Sequence, residues 1–172
     1  YGRLIEATRT WTRTHQPGSI FTRLARWFVF RELLPHPRRL HMLGWLLRLY
    51  QRSGLQSLLR CTRIFRLGPG FADAEAALPK LPRRFFQVRG QVFSASGEKR
   101  YRVALLAGCV MPLVQAETME AAVRVLKING CEVVIPQGQV CCGALNLHAG
   151  ERESAIKMAQ RNMEVFHSAE VD

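Results

Sequence analysis

Three cysteines in this chain have the neighbours and spacing that soft-metal or redox chemistry needs. Cys109 closes an aliphatic run, Val103 to Leu106 followed by Ala107-Gly108, and Cys141-Cys142-Gly143 follows a second run, Val133 to Ile135. The thiolate is the form that binds soft metals. An iron-sulfur cluster takes about four of them, converging from loops whose backbone approaches closely. Gly108 and Gly143 are the neighbours such loops favour and are candidate cofactor-binding positions; Cys109, Cys141 and Cys142 are candidate metal ligands. In extended chain Cys141 and Cys142 would point to opposite faces, so they share one centre only if the loop kinks, which Gly143 permits. The competing readings are a zinc site, a vicinal disulfide and inert thiols. Zinc sites usually show paired C-x(2–4)-C knuckles, absent from this sequence, and a vicinal disulfide leaves Cys109 unexplained.

The elements that must position these thiols are a strand, a helix, a strand and a helix. The first strand is expected over Arg102 to Leu106. Pro112 then opens a helix whose buried stripe is Met119, Ala122, Val123 and Leu126 and whose stop is Asn129-Gly130. The second strand runs from Glu132 to Ile135. The second helix spans Glu151 to His167, with Ala155, Met158, Ala159, Met163 and Phe166 inward. That order predicts parallel strands joined by a right-handed crossover, a Rossmann-like α/β half-domain, and functional loops of such sheets lie at the carboxyl ends of the strands. Cys109 and the Cys141-Cys142 pair fall there. Cys131 begins the second strand at the opposite end and reads as a core or surface thiol.

Upstream, residues 1–67 read as an all-α region. Helices are expected over 1–14, over Ile20 to Leu34 with Ser19 as its cap after the Gln16-Pro17-Gly18 break, over Arg38 to Gln51, and over Leu55 to Phe65 after Gly54. The Ile20 stripe is broad enough to suggest burial on more than one side. Trp11, Trp27 and Trp45, at helical spacing, read as core, and Cys61 as a buried structural thiol. His15, His36 and His41 have no ligand spacing to any cysteine. Residues 68–101, rich in Gly and Pro and with one short helix over Ala72 to Leu78, read as a connector preceding the α/β segment, 102–172.

Charge divides the chain in the same way. The net charge of +12 comes from residues 1–102, with twenty Lys and Arg against five Asp and Glu; residues 103–172 have five against eight. The arginines are spread along helices without forming runs of five or more, which fits a solvated, partner-facing or membrane-surface role better than nucleic acid. Charges interrupt every strongly apolar run of the first half, so no membrane span is expected. An odd count of cysteines with a vicinal pair fits a reducing compartment, and a cytoplasmic location is expected. The sequence has no G-x-G-x-x-G fingerprint and no hydrolase serine elbow, so no substrate site is expected within it.

Together, G-C-V-x-P at 108–112, C-C-G-A at 141–144 and H-A-G-E at 148–151 resemble the first half of the repeat of the cysteine-rich CCG family, as in the cysteine-rich subunit of heterodisulfide reductase and the iron-sulfur subunit of glycolate oxidase. Tyr1-Gly2-Arg3-Leu4 resembles the stretch that follows the ferredoxin module of the latter. The resemblance implies a fragment: a helical region after an upstream ferredoxin module, then the first part of a CCG domain whose last cysteines fall beyond Asp172. It implies a [4Fe-4S]-type cluster held in part by Cys109, Cys141 and Cys142, with His148 as a hydrogen-bond donor to cluster sulfur or a plain loop residue. It further implies electron transfer from a flavin-containing partner subunit towards a quinone, on the cytoplasmic side of the inner membrane. Related subunits serving lactate, glycerol-3-phosphate or heterodisulfide chemistry form one alternative. A non-redox basic scaffold or nucleic-acid-binding module forms another.

Overall fold

A computed structural model describes residues 2–15, 18–62 and 70–172. Tyr1, the Gln16-Pro17 break, the far end of the fourth expected helix at Phe65 and the start of the connector at Gly68 lie outside them.

The sheet has three strands, β1 (Val92–Phe93), β2 (Tyr101–Ala104) and β3 (Cys131–Val134), in the order β1-β3-β2. β2 and β3 pair in parallel, with Val103 opposite Val133 and Ala104 opposite Val134. β1 pairs with β3 in antiparallel fashion through Val92 opposite Val134. β3 is therefore central, and the apolar run Val133 to Ile135 follows from burial on both faces: Val133 and Ile135 are 0% exposed and Val134, on the other face, 7%. The crossover from β2 to β3 runs through α6 (Met111–Val114) and α7 (Ala116–Ile128), which packs Met119 and Val123 into the core with Phe86, Ala107 and Val133. Beyond β3 come α8 (Ala144–His148) and α9 (Arg152–His167). On α9, Ala155 and Met158 are buried as expected, whereas Ala159 and Met163 face solvent.

The expected connector is in part a piece of the α/β body. Phe86 belongs to its core, and β1 lies within 68–101. A two-residue edge strand has no alternation to read, which is why composition alone points to a linker there.

Upstream lie α1 (Gly2–His15), α2 (Ile20–Trp27) continuing into a π-helical turn (Phe28–Leu33), α3 (Pro37–Arg52), α4 (Leu55–Cys61) and the short α5 (Phe71–Ala76). Ser19 caps α2 as expected, its hydroxyl accepting from the Thr22 N–H at 3.3 Å. α3 meets the α/β body at Gly44, where a Cβ would stand 3.3 Å from Leu113 and 3.4 Å from Phe85, and the Arg48 guanidinium covers the Phe85 ring at 4.4 Å. Glu75 of α5 ties α3 and α4 together by accepting from Arg60 Nε at 2.9 Å, Gln56 Nε2 at 2.7 Å and the Tyr50 hydroxyl at 3.4 Å. Those donors, Arg60 foremost, hold its carboxyl below the usual carboxylate range.

These helices do not bury their stripes on one another. Ile20, Phe21, Leu24, Trp27 and Phe28 are exposed, Phe21 by 80%, and Trp11, Trp27 and Trp45 are about half exposed at 57%, 50% and 52%. Cys61 is exposed as well. The expectations of core tryptophans and a buried thiol are corrected accordingly: helical periodicity reports an apolar face, not what covers it. Among the described residues no helix is long and apolar enough to cross a membrane.

Candidate metal centre

Parallel pairing places the ends of β2 and β3 side by side, so the loops that follow them meet. In the first loop Gly108 takes φ 70°, a conformation that disfavours any side chain, and turns the chain so that Cys109 faces inward. In the second, Gly143 takes φ 81° at the start of α8 and lies so close to α9 that a Cβ would come within 3.1 Å of the Ala155 backbone. The kink brings fully buried Cys141 to Cys109, with Sγ to Sγ at 2.9 Å, and leaves Cys142 exposed beside it.

The Cys109 and Cys141 sulfurs are hydrogen-bonded to each other. That bond, with the Gly143 backbone N–H and a contribution from Cys142, lowers Cys141 to about 6. The same hydrogen bond, reinforced by burial, pushes the Cys109 thiol up. Two thiolates on one tetrahedral metal stand about 3.8 Å apart, as follows from metal–sulfur bonds of about 2.3 Å. The observed spacing of 2.9 Å is shorter than that, so a metal would have to part the sulfurs. Among the described residues no group of three or more His, Cys, Asp or Glu side chains is already arranged around a metal position. The donor chemistry nevertheless suits an iron-sulfur centre: two converging sulfurs, a third on the adjacent residue, and a backbone N–H directed at one of them. Cys131 is buried at the other end of β3, as the sequence implies.

Two side-chain amides that sequence reasoning passed over hold the cysteine loops. Gln139, 5% exposed, accepts the Ala107 N–H at 2.7 Å and donates to the Pro136 carbonyl at 3.0 Å and the Leu105 carbonyl at 3.4 Å, so it is bonded to both loops. Asn162 of α9 accepts the Val140 N–H at 2.8 Å and donates to the Cys141 carbonyl at 3.1 Å. No sequence signal marks either: Gln139 follows Gln137-Gly138 and Asn162 stands beside Gln160 and Arg161, so both read as ordinary polar residues.

His148 turns one ring nitrogen towards the helical region: its Nδ1 lies 3.2 Å from Glu6 of α1. The rest of H-A-G-E turns the same way. Arg9 donates to the His148 carbonyl at 2.8 Å and Arg26 to the Ala149 carbonyl at 2.7 Å, so two arginines cap the C-terminal end of α8. Gly150 leaves room for the α1 backbone, since a Cβ there would come within 3.2 Å of Thr10, and Glu151 lies 3.7 Å from Arg26. Fully buried Asn146 adds a further tie. In the π-helical turn the Leu34 N–H bonds to the Val29 carbonyl, so the Phe30 carbonyl is left facing Pro35, which has no N–H; Asn146 Nδ2 supplies the donor at 2.8 Å.

Comparison with known proteins follows the same division. Residues 21–78 match the model of the glycolate oxidase iron-sulfur subunit linker region, and residues 103–172 match that of the CCG cysteine-rich domain. Over its whole length the chain is 35% identical to a probable glycolate oxidase iron-sulfur subunit of Bacillus subtilis (strain 168), of which it covers 39%. The chain is thus similar to a glycolate oxidase iron-sulfur subunit linker over residues 21–78 and to a CCG cysteine-rich domain over residues 103–172. Two further relatives match part of the chain: lactate utilization protein A of Bacillus licheniformis is 36% identical over 69 residues, 40% of this chain and 29% of that protein. An uncharacterized iron-sulfur protein of Methanococcus maripaludis is 31% identical over 96 residues, 56% of this chain and 19% of that one. No solved structure matches. Arg26 and Phe30 of the linker match, with Glu6, Arg9 and Thr10 ahead of it, hold the CCG match at 146–151, and the cysteine loops are held from inside that domain.

Proposed function

We propose that this chain is the part of an electron-transfer iron-sulfur subunit that supplies Cys109, Cys141 and Cys142 to a cluster of the [4Fe-4S] type, in a complex that oxidises glycolate. The observation that carries the reading is the convergence of Cys109 and Cys141 from two neighbouring parallel strand ends to 2.9 Å. Bound there, the cluster would supply one-electron redox chemistry. The chain's own part is to hold the sulfurs: Gly108 and Gly143 turn the loops, and the Gly143 N–H offsets negative charge on Cys141. The remaining ligands would come from outside residues 1–172, and the parallel β2–β3 pair of the small mixed sheet would belong to half of a doubly wound Rossmann-like domain.

A flavin-containing subunit is the proposed electron donor and a quinone the acceptor, with the complex on the cytoplasmic face of the inner membrane. The arginine-bearing helices suit docking to a partner subunit or an anionic membrane surface, so assembly should weaken as salt rises. Similarity to lactate utilization protein A favours lactate as the second candidate donor.

The test is anaerobic iron and sulfide reconstitution of the full-length protein. A brown protein with visible charge-transfer absorption, whose iron content falls by one cluster in Cys141→Ser, supports the reading. Unchanged iron in that variant refutes it, and a colourless protein whose DNA binding falls steeply with salt supports the basic-module alternative.

A further inference from the structure

We infer that Gln139 is the positioning residue of the thiol site: its side-chain amide fixes the loop after β2 against the loop after β3 and thereby sets the separation of Cys109 and Cys141. This rests on the metal-centre reading only for its consequence in the loaded protein; the positioning itself is tested on thiols alone.

Gln139 lies two residues before Cys141, and the Ala107 N–H that it accepts lies two residues before Cys109. The bond at 2.7 Å is therefore a cross-brace between the two cysteine loops, placed beyond the last paired residues of the strands, Ala104 and Val134. Past that point the ladder continues only through the Leu105 N–H to the Val134 carbonyl at 2.9 Å. The orientation of the amide is fixed by chemistry: Ala107 N–H requires an acceptor, and the Leu105 and Pro136 carbonyls require a donor, so oxygen and nitrogen cannot be exchanged. Asn162 braces Val140 and Cys141 against α9, so the second loop is held on both sides of Cys141. A site of this kind loses function when its supporting residues let it loosen by about 1 Å, without any loss of fold.

Two substitutions of nearly equal size separate positioning from packing. Gln139→Glu keeps an oxygen for the Ala107 N–H but buries an ionisable group; Gln139→Met keeps the bulk and loses every hydrogen bond. The readout is the equilibrium between the metal-free full-length chain and glutathione disulfide. Two thiols close to one disulfide while one glutathione disulfide is reduced to two glutathione molecules, and the Cys109–Cys141 linked peptide is counted by mass spectrometry. Its equilibrium constant measures how closely the sulfurs are held. Positioning predicts that Gln139→Met lowers that constant about tenfold or more, whereas Gln139→Glu stays nearer the wild type. Denaturant midpoints should rank the other way, with Met at least as stable as Glu. A constant for Gln139→Met equal to wild type, or the same ranking of both variants in both measurements, overturns the inference.

If either variant fails to fold, Asn162→Asp takes its place. That change keeps the acceptor for Val140 N–H and loses the donor to the Cys141 carbonyl, and positioning predicts a fall in the same constant; no fall overturns the two-sided brace. In the cluster-loaded full-length protein, Gln139→Met should shift the midpoint potential or the electron paramagnetic resonance spectrum of the site with its iron content kept. A protein that takes up no iron leaves the glutathione result standing, so failure of the cluster reading and failure of the brace are told apart.

Discussion

The helical region and the α/β segment are written in the same alphabet of amphipathic periodicity, yet they satisfy it in opposite ways. In the α/β segment the stripe of α7 closes over a sheet whose central residues Val133 and Ile135 are 0% exposed. In the helical region the stripe of α2 stays open, with Phe21 at 80% and Ile20 at 74% exposed, and the helices are fixed by polar ties instead: Glu75 to Arg60, and Arg9 and Arg26 to the end of α8. Apolar pattern identifies a helix. Only the presence of a sheet beside it decides whether that helix is part of a core.

The contrast can be broken most directly in the cores themselves. Ile135→Ala should cost about 2–5 kcal/mol in a denaturant titration, and Phe21→Ala should stay within about 0.5 kcal/mol. Equal losses would mean that the α2 stripe is buried in solution. The glycines give a smaller test of the same kind. Gly143→Ala combines φ 81° with a Cβ 3.1 Å from the Ala155 backbone and should cost about 2–4 kcal/mol, while Gly54→Ala, at φ 79° with nothing within 4 Å, should cost about 1 kcal/mol.

A third test uses pH. Cys141 is depressed from 9.0 to about 6 and Cys109 is raised, so between about 6 and about 9 the folded metal-free chain holds one proton fewer than the unfolded chain, and stability rises with pH. Above about 9 both thiols of the unfolded chain ionise while Cys109 stays protonated in the fold, and stability falls. A maximum near pH 9 under reducing conditions, flattened in Cys141→Ser, is the expected profile; a monotonic profile identical in both proteins would break the picture of a hydrogen-bonded sulfur pair. The smallest effect belongs to the helical region: Ser19→Ala should cost about 0.5–1 kcal/mol through the lost cap on Thr22, measured as a small fall in thermal midpoint.

What is legible in the sequence follows from local chemistry. β2, β3 and the cysteine loops can be read because β-branched runs end in Gly-Cys and Cys-Cys-Gly, and Asn129-Gly130 and Ser19 mark helix ends through their own backbone and side-chain preferences. What escapes depends on distant partners. β1 is too short to alternate, α8 is hidden in the loop before α9, and the exposure of Trp27 depends on what does not pack against it. Gln139 and Asn162 look like ordinary polar residues because their role lies in backbone groups 32 and 22 positions away. The location of His148 near the doublet in sequence says nothing of the direction its ring faces.

Because the Phe30 carbonyl faces a proline and α8 ends against two arginines, the boundary between the two matched regions is not a place to cut. A CCG domain expressed from residue 103 onward would retain all three thiols of the cluster reading, but would strip Asn146 of its acceptor and the His148 and Ala149 carbonyls of their donors. Grafting this domain onto another linker would succeed only where the new helices bring their own arginines and an unfilled carbonyl to the same three positions.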